Sequence, residues 1–305
     1  MTARYCYAVK KQMGEWGKIM NKIQFSADPE INYIFHMLSV SKCGYDNAYG
    51  EKYRSRYDSA DLECLKAQER RLTVRGGEHC GDWFGPIVCE PAKNKMAAKE
   101  YYEETIAWIE AGKLKLPEDE LETIIRICRV MIRYYDDFME NIWPAEKKRI
   151  EEYIDTMRTV FEKSDFTEKA EKLVGVSLPP AGFTAVLVPS VHGGAEAIDI
   201  TDTQDVFGID RGAESEKAFI SHEFIIYLLK IALKDEDENW LLREGLAEYY
   251  LQKISGGEKS FQSCQEQAEA YRRLESICGT DAVTLYREAS RRLARKVLDD
   301  AGDWI

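Results

Sequence analysis

From Pro29 the apolar residues Ile31, Ile34, Phe35 and Leu38 recur at spacings of three and four, which predicts a helix with one buried stripe. Asp28 offers an N-cap carboxylate, and the proline after it sits where a missing N–H costs nothing. Residues 1 to 27 have little period and are expected to pack weakly. Positions 72 to 91, with Gly76, Gly77, Gly81, Gly85, Pro86 and Pro91, read as a turn-rich connection carrying a short strand at 87 to 89. Three longer helical patterns follow. Residues 97 to 111 place Tyr101, Thr105, Trp108 and Ile109 on one face, 118 to 138 place Leu121, Ile124, Cys128 and Met131, and 145 to 163 place Ile150, Ile154, Met157 and Phe161. Leu116-Pro117 and Trp143-Pro144 separate them, because proline cannot donate to a helix interior and clashes with the preceding turn.

After Pro179-Pro180 the period changes from 3.6 to 2. Phe183 to Val188 is apolar and partly β-branched, and Ala197-Ile198-Asp199-Ile200-Thr201 alternates as a half-buried strand does. Gly193-Gly194 between them predicts a turn joining the two as a pair, and Val206 to Ile209 reads as a third strand. The helical period then returns at about 215 to 233, 239 to 254, 261 to 277 and 281 to 298. The acidic run 235 to 238 lies where it favours the next helix dipole. The pattern predicts a mainly helical α+β chain. A helical region at 1 to 175 precedes a domain at 176 to 305 with a small sheet, and the two could pack as one compact unit.

Composition narrows the class. With 305 residues, 45% of them hydrophobic and 31% charged, the chain can bury a substantial core. A net charge of −12 argues against nucleic acid or an anionic membrane as partner, since both require a concentrated basic face. No apolar run approaches the roughly 20 residues needed to cross a bilayer, and Lys10, Lys11, Glu15 and Lys18 interrupt the opening segment as no signal peptide allows. A cytoplasmic location is expected. The eight cysteines form no C-x-x-C pair, so reduced thiols are expected, and His79-Cys80 with Cys89 matches no zinc-knuckle spacing. Tyr45, Tyr49, Tyr53 and Tyr57, interleaved with Arg54 and Arg56, read as local packing, and His36 as a packed or surface residue.

The candidate chemistry is in Ser221-His222-Glu223-Phe224-Ile225-Ile226-Tyr227, followed by Trp240-Leu241-Leu242-Arg243-Glu244-Gly245-Leu246-Ala247-Glu248-Tyr249-Tyr250. Residues four apart on a helix project from one face, so two histidines at that spacing can hold one zinc ion beside a glutamate base. The two segments resemble the gluzincin metallopeptidases, which carry His-Glu-x-x-His on one helix and a Glu ligand on the next. That resemblance implies a zincin-like domain with an active-site helix and a glutamate helix. It implies metal-ligand roles for His222 and Glu244, a general-base role for Glu223, and a second carboxylate, Glu248, that orients His222.

The departure from the family lies at Ile226, where a branched hydrocarbon replaces the second histidine. Catalytic zinc usually has three protein ligands, so zinc is expected to be weakly held or absent. The leading expectation is therefore a peptidase-like protein impaired in turnover that binds a peptide or protein segment in the old cleft, along a strand edge. An active zinc peptidase with a substitute ligand, His192 or Glu248, is the alternative, with Tyr249 or Tyr250 stabilising an oxyanion. A helical scaffold with an accidental motif is the third reading, and it requires His222 and Glu244 to lie far apart.

Overall fold

A computed structural model describes residues 22–75, 79–191, 198–234, 239–256 and 264–299. Strand β1 (Ile23–Ser26) is followed by α1 (Pro29–Val40), α2 (Ala48–Arg54), α3 (Ser59–Lys66), α4 (Glu69–Leu72) and a small hairpin of β2 (Val74–Arg75) and β3 (His79–Cys80). A π-helical turn (Phe84–Cys89) leads to α5 (Glu90–Asn94), α6 (Ala98–Glu110), α7 (Glu118–Asn141), α8 (Trp143–Glu162) and α9 (Phe166–Val174). The rest comprises β4 (Phe183–Leu187), β5 (Ile198–Thr201), β6 (Gln204–Phe207), α10 (Ala213–Leu233), α11 (Trp240–Ser255), α12 (Gln265–Cys278) and α13 (Ala282–Asp299). Asp28 caps α1 as its position implies, its carboxylate accepting from the backbone N–H groups of Glu30 and Ile31, each at 2.9 Å.

The sheet runs β1-β4-β6-β5, with β1 and β6 parallel to β4 and β5 antiparallel to β6. This corrects three local expectations. Ile23 to Ser26 is a strand paired with Phe183 to Val186, too short for its alternation to register as a period. Strands β4 and β5 are not partners, because β6 inserts between them; the tight turn is at Asp202-Thr203, and Gly193-Gly194 lies outside the described residues. Residues 87–89 are helical, the Glu90 N–H reaching back to the Gly85 carbonyl.

The sheet separates two cores. One face, with Phe25, Phe183, Ala185, Leu187 and Phe207, packs on α8 to α13. The other, with Val186, Val188, Ile198, Ile200 and Val206, packs on α1 and the helices up to α7. The first core draws on β1, α8 and α9, so it runs across residue 175. Helix α10 buries Ile220, Phe224, Ile225, Ile226, Leu228 and Leu229, and is apolar around most of its circumference, as a central helix must be. The Phe224 ring meets Phe166 at 5.8 Å and Phe183 at 5.9 Å, edge contacts that add about 0.5–1.5 kcal/mol each beyond buried area.

His36 is fully buried in the first-half core, its Nδ1 2.9 Å from the Tyr49 hydroxyl and its Nε2 2.5 Å from that of Tyr57. Of the two placements its surroundings in the sequence allow, packed or surface, it takes the packed one. Cys43, Cys64, Cys89, Cys128, Cys264 and Cys278 are free thiols. Among the described residues no helix is long and apolar enough to cross a membrane.

Candidate functional site

Helices α10 and α11 pack side by side and bring together the residues that the two motifs single out. His222 lies in the middle of α10 and is 1% exposed. Its Nε2 donates to Glu244 Oε2 at 2.9 Å; the acceptor is a carboxylate, so the proton sits on the imidazole. On the other side of the ring Nδ1 lies 3.9 Å from Glu248 Oε2. Glu244 and Glu248, one turn apart on α11, therefore address opposite ring nitrogens of a histidine 22 residues upstream of Glu244. Helix α11 holds this register because Asn239 caps it, accepting from Leu241 N at 3.1 Å and Leu242 N at 3.3 Å.

Burial by itself lowers the pKa of His222, but its hydrogen bond to Glu244 and the charges of Glu223, Glu244 and Glu248 outweigh it and hold the imidazolium. Glu223, next on the helix, is pushed up to about 7, by desolvation first, with Glu244 and Asp199 adding and His222 and Lys230 opposing. A carboxyl near neutrality is suited to exchanging a proton at physiological pH.

Two strand residues extend the group. Asp205 of β6 is 5% exposed, and its pKa is well above the carboxylate range, through burial and the neighbouring Asp199 and Glu223. It therefore carries a proton and donates to Asp199 across the β5–β6 ladder. Desolvation works against ionisation of Asp199, yet Lys230 Nζ at 2.8 Å and the donor from Asp205 keep its pKa low. Sequence reasoning missed both aspartates as site residues: Asp199 faces solvent as the alternation implies, its side chain 61% exposed, and only the register with β6 and the pairing with Lys230 bring it beside α10. Beside β5 lies a cavity of about 350 Å³, bounded by Asp199, Ile200, Thr201, Tyr227 and Lys230. The outer edge of β5 has no strand partner among the described residues.

Other expected roles change. Tyr249 sends its hydroxyl to Glu275, and Tyr250 donates to the Thr280 carbonyl at 2.8 Å, so both hydroxyls are engaged by partners outside the motif. Glu248 faces Nδ1, while Glu244 faces Nε2, so in this arrangement the two carboxylates address opposite sides of the ring. Ile226 is 2% exposed and lies in the α10 core. His192 lies outside the described residues, as does the acidic run 235–238.

His222 and Glu244 could each offer one bond to a zinc ion, in place of the proton they now share. Ile226 offers none. Among the described residues no group of three or more His, Cys, Asp or Glu side chains is placed to hold a metal ion. The motif positions among the described residues thus supply His222 and Glu244, against the three protein ligands that catalytic zinc usually has.

Gly245 follows the glutamate for a packing reason. A Cβ there would lie 2.2 Å from the Cβ of Gln267, so the missing side chain is what lets α12 approach α11. Gly245→Ala is expected to cost about 1–3 kcal/mol by overpacking, read as a lower urea midpoint. An unchanged midpoint would mean that α12 slides freely on α11.

A scan against protein-family models finds no match, and neither a search of curated proteins nor one of solved structures finds any.

Proposed function

We propose that this chain is a zincin-like protein of gluzincin type that has lost a zinc ligand at Ile226 and uses its cleft to bind an extended peptide or protein segment without hydrolysing it. The observation that carries the reading is the placement of His222 Nε2 against Glu244 at 2.9 Å with Glu248 on the Nδ1 side. Accidental motifs on two helices have no reason to converge on opposite nitrogens of one ring, which weighs against the helical-scaffold alternative. The outer edge of β5, which has no strand partner among the described residues and lies beside the cavity at Tyr227 and Lys230, supports a strand-addition mode, in which backbone hydrogen bonds hold the segment and side-chain pockets choose it.

The reading predicts that an unstructured protein such as casein is not cleaved, with or without added zinc, and that Glu223→Gln leaves binding to an array of random decapeptides within about twofold, since a general base contributes to turnover rather than to ground-state binding. Casein cleavage that disappears in both Glu223→Gln and Glu244→Ala would replace this reading with an active zinc peptidase. Absence of any array binding would remove the peptide role.

A further inference from the structure

Helix α11 carries Glu244, Glu248 and Gln252 at four-residue intervals, a single stripe facing first His222 and then α12. The third member of that stripe is as buried as the first two are central: Glu248 is 0% and Gln252 3% exposed. Glu248 Oε1 accepts from Gln252 Nε2 at 2.7 Å and from Gln265 Nε2 at 2.9 Å. Gln252 Nε2 also lies 3.0 Å from Gln265 Oε1, and Gln252 Oε1 accepts from Arg272 Nη2 at 2.6 Å. Gln265 and Arg272, seven residues apart, lie on the same face of α12, and Gly245 permits the approach.

The direction of each bond follows from what its partner can do. A guanidinium only donates, so Arg272 must meet the carbonyl end of the Gln252 amide, which turns the NH₂ end toward Glu248. A flipped amide would set its oxygen against the carboxylate. With both amides on Oε1, the Glu248 oxygen left on the ring side is Oε2, the one nearest His222 Nδ1. The structure assigns Gln252 and Arg272 as positioning residues: Arg272 sets the amide of Gln252, Gln252 with Gln265 sets Glu248, and Glu248 sets the plane of the His222 ring. This rests on the reading of His222, Glu244 and Glu248 as the working end of the cleft, and adds a relay that starts at the half-exposed side chain of Arg272 on the far helix. Buried networks of this kind are valuable only when every member is satisfied, so loss of an outer member is felt at the inner one.

The test reads the ring directly. The chain has four histidines, so side-chain ¹⁵N spectra of histidine-labelled protein are simple, and His222→Gln assigns the signal. Arg272→Met is expected to shift or split the His222 ring nitrogen signals, Arg272→Lys to restore one set by returning a donor to Gln252 Oε1, and Arg273→Met to leave them unchanged. Arg273 is the control because its side chain is 60% exposed and pairs with the same Glu269 that Arg272 also meets, so that losing it tests the Glu269 pairing apart from the Gln252 contact. A purely structural role would lower stability without that pattern of rescue. Unchanged His222 signals in a folded Arg272→Met protein would overturn the assignment, and Arg272, half-exposed, is the variant least exposed to misfolding. In an Ile226→His background, Arg272→Met is further expected to weaken zinc binding about 10–100-fold, as loss of outer support does. Should Ile226→His bind no zinc at all, the zincin reading fails while the ring signals still decide the relay.

Discussion

Ile226→His is expected to raise zinc affinity by roughly a hundredfold to a thousandfold, taking the purified protein from little zinc to about one equivalent. The estimate follows from ~10–16 kcal/mol for a four-ligand zinc site, or about 2.5–4 kcal/mol per ligand. Position 226 is one turn beyond His222 on α10, so an imidazole there projects from the same face. It replaces a side chain that is 2% exposed, so a loss of about 1–3 kcal/mol in the metal-free protein should accompany the gain. Elemental analysis of both proteins, purified without added metal or chelator, reads the result. Near-stoichiometric zinc in the natural chain would mean that a substitute ligand exists and would favour the enzyme. Zinc in neither would mean that His222 and Glu244 do not form a zinc cradle.

Acidification is expected to remove a stabilising contribution of His36, which packs in the core on the other face of the sheet. Burial, with a smaller contribution from Arg56, lowers its pKa from 6.5 to about 3. The unfolded chain therefore takes up the proton first. The contribution of neutral His36 is complete above about pH 6.5 and is lost at ~1.4 kcal/mol per pH unit as pH falls toward 3, so about 2 kcal/mol is gone by pH 5. Glu223, Asp205 and His222, whose pKa values are raised in the folded chain, gain stability over the same range and do so in both proteins, so the His36 contribution is read as a difference: between pH 8 and pH 5 the urea midpoint of the natural chain should fall relative to that of His36→Phe. That variant should also start lower, by about 1–3 kcal/mol, since it strips the Tyr49 and Tyr57 hydroxyls of a buried partner. Parallel slopes in the two proteins would assign the acid sensitivity to other groups.

The helices were legible because each writes its own period and punctuation. Asp28-Pro29, Leu116-Pro117 and Asn239 mark starts that the structure keeps within a residue or two. The motif residues were legible too, since His222, Glu223, Glu244 and Glu248 are chemical types at helical spacings. The continuation to Gln252 was visible as one more step of four, but a glutamine on a helix has no meaning until its partners are known. Those partners, Gln265 and Arg272, come from another helix whose pairing leaves no local mark.

What the chain's own sequence determined is therefore local: the helices, the changes of period, and a histidine and three glutamates at positions that aim them along helix faces. Tertiary structure alone decided which strands meet. Residues 23–26 join β4 across more than 150 intervening positions, and β6 rather than β5 lies beside β4. It also decided that Asp199 and Asp205 stand next to Glu223, that the Tyr249 and Tyr250 hydroxyls are engaged by partners outside the motif, and that Glu248 is held from α12. The physical reason is that periodicity reports which face of an element is buried, whereas the identity of the neighbour depends on how buried faces are distributed among all the elements at once.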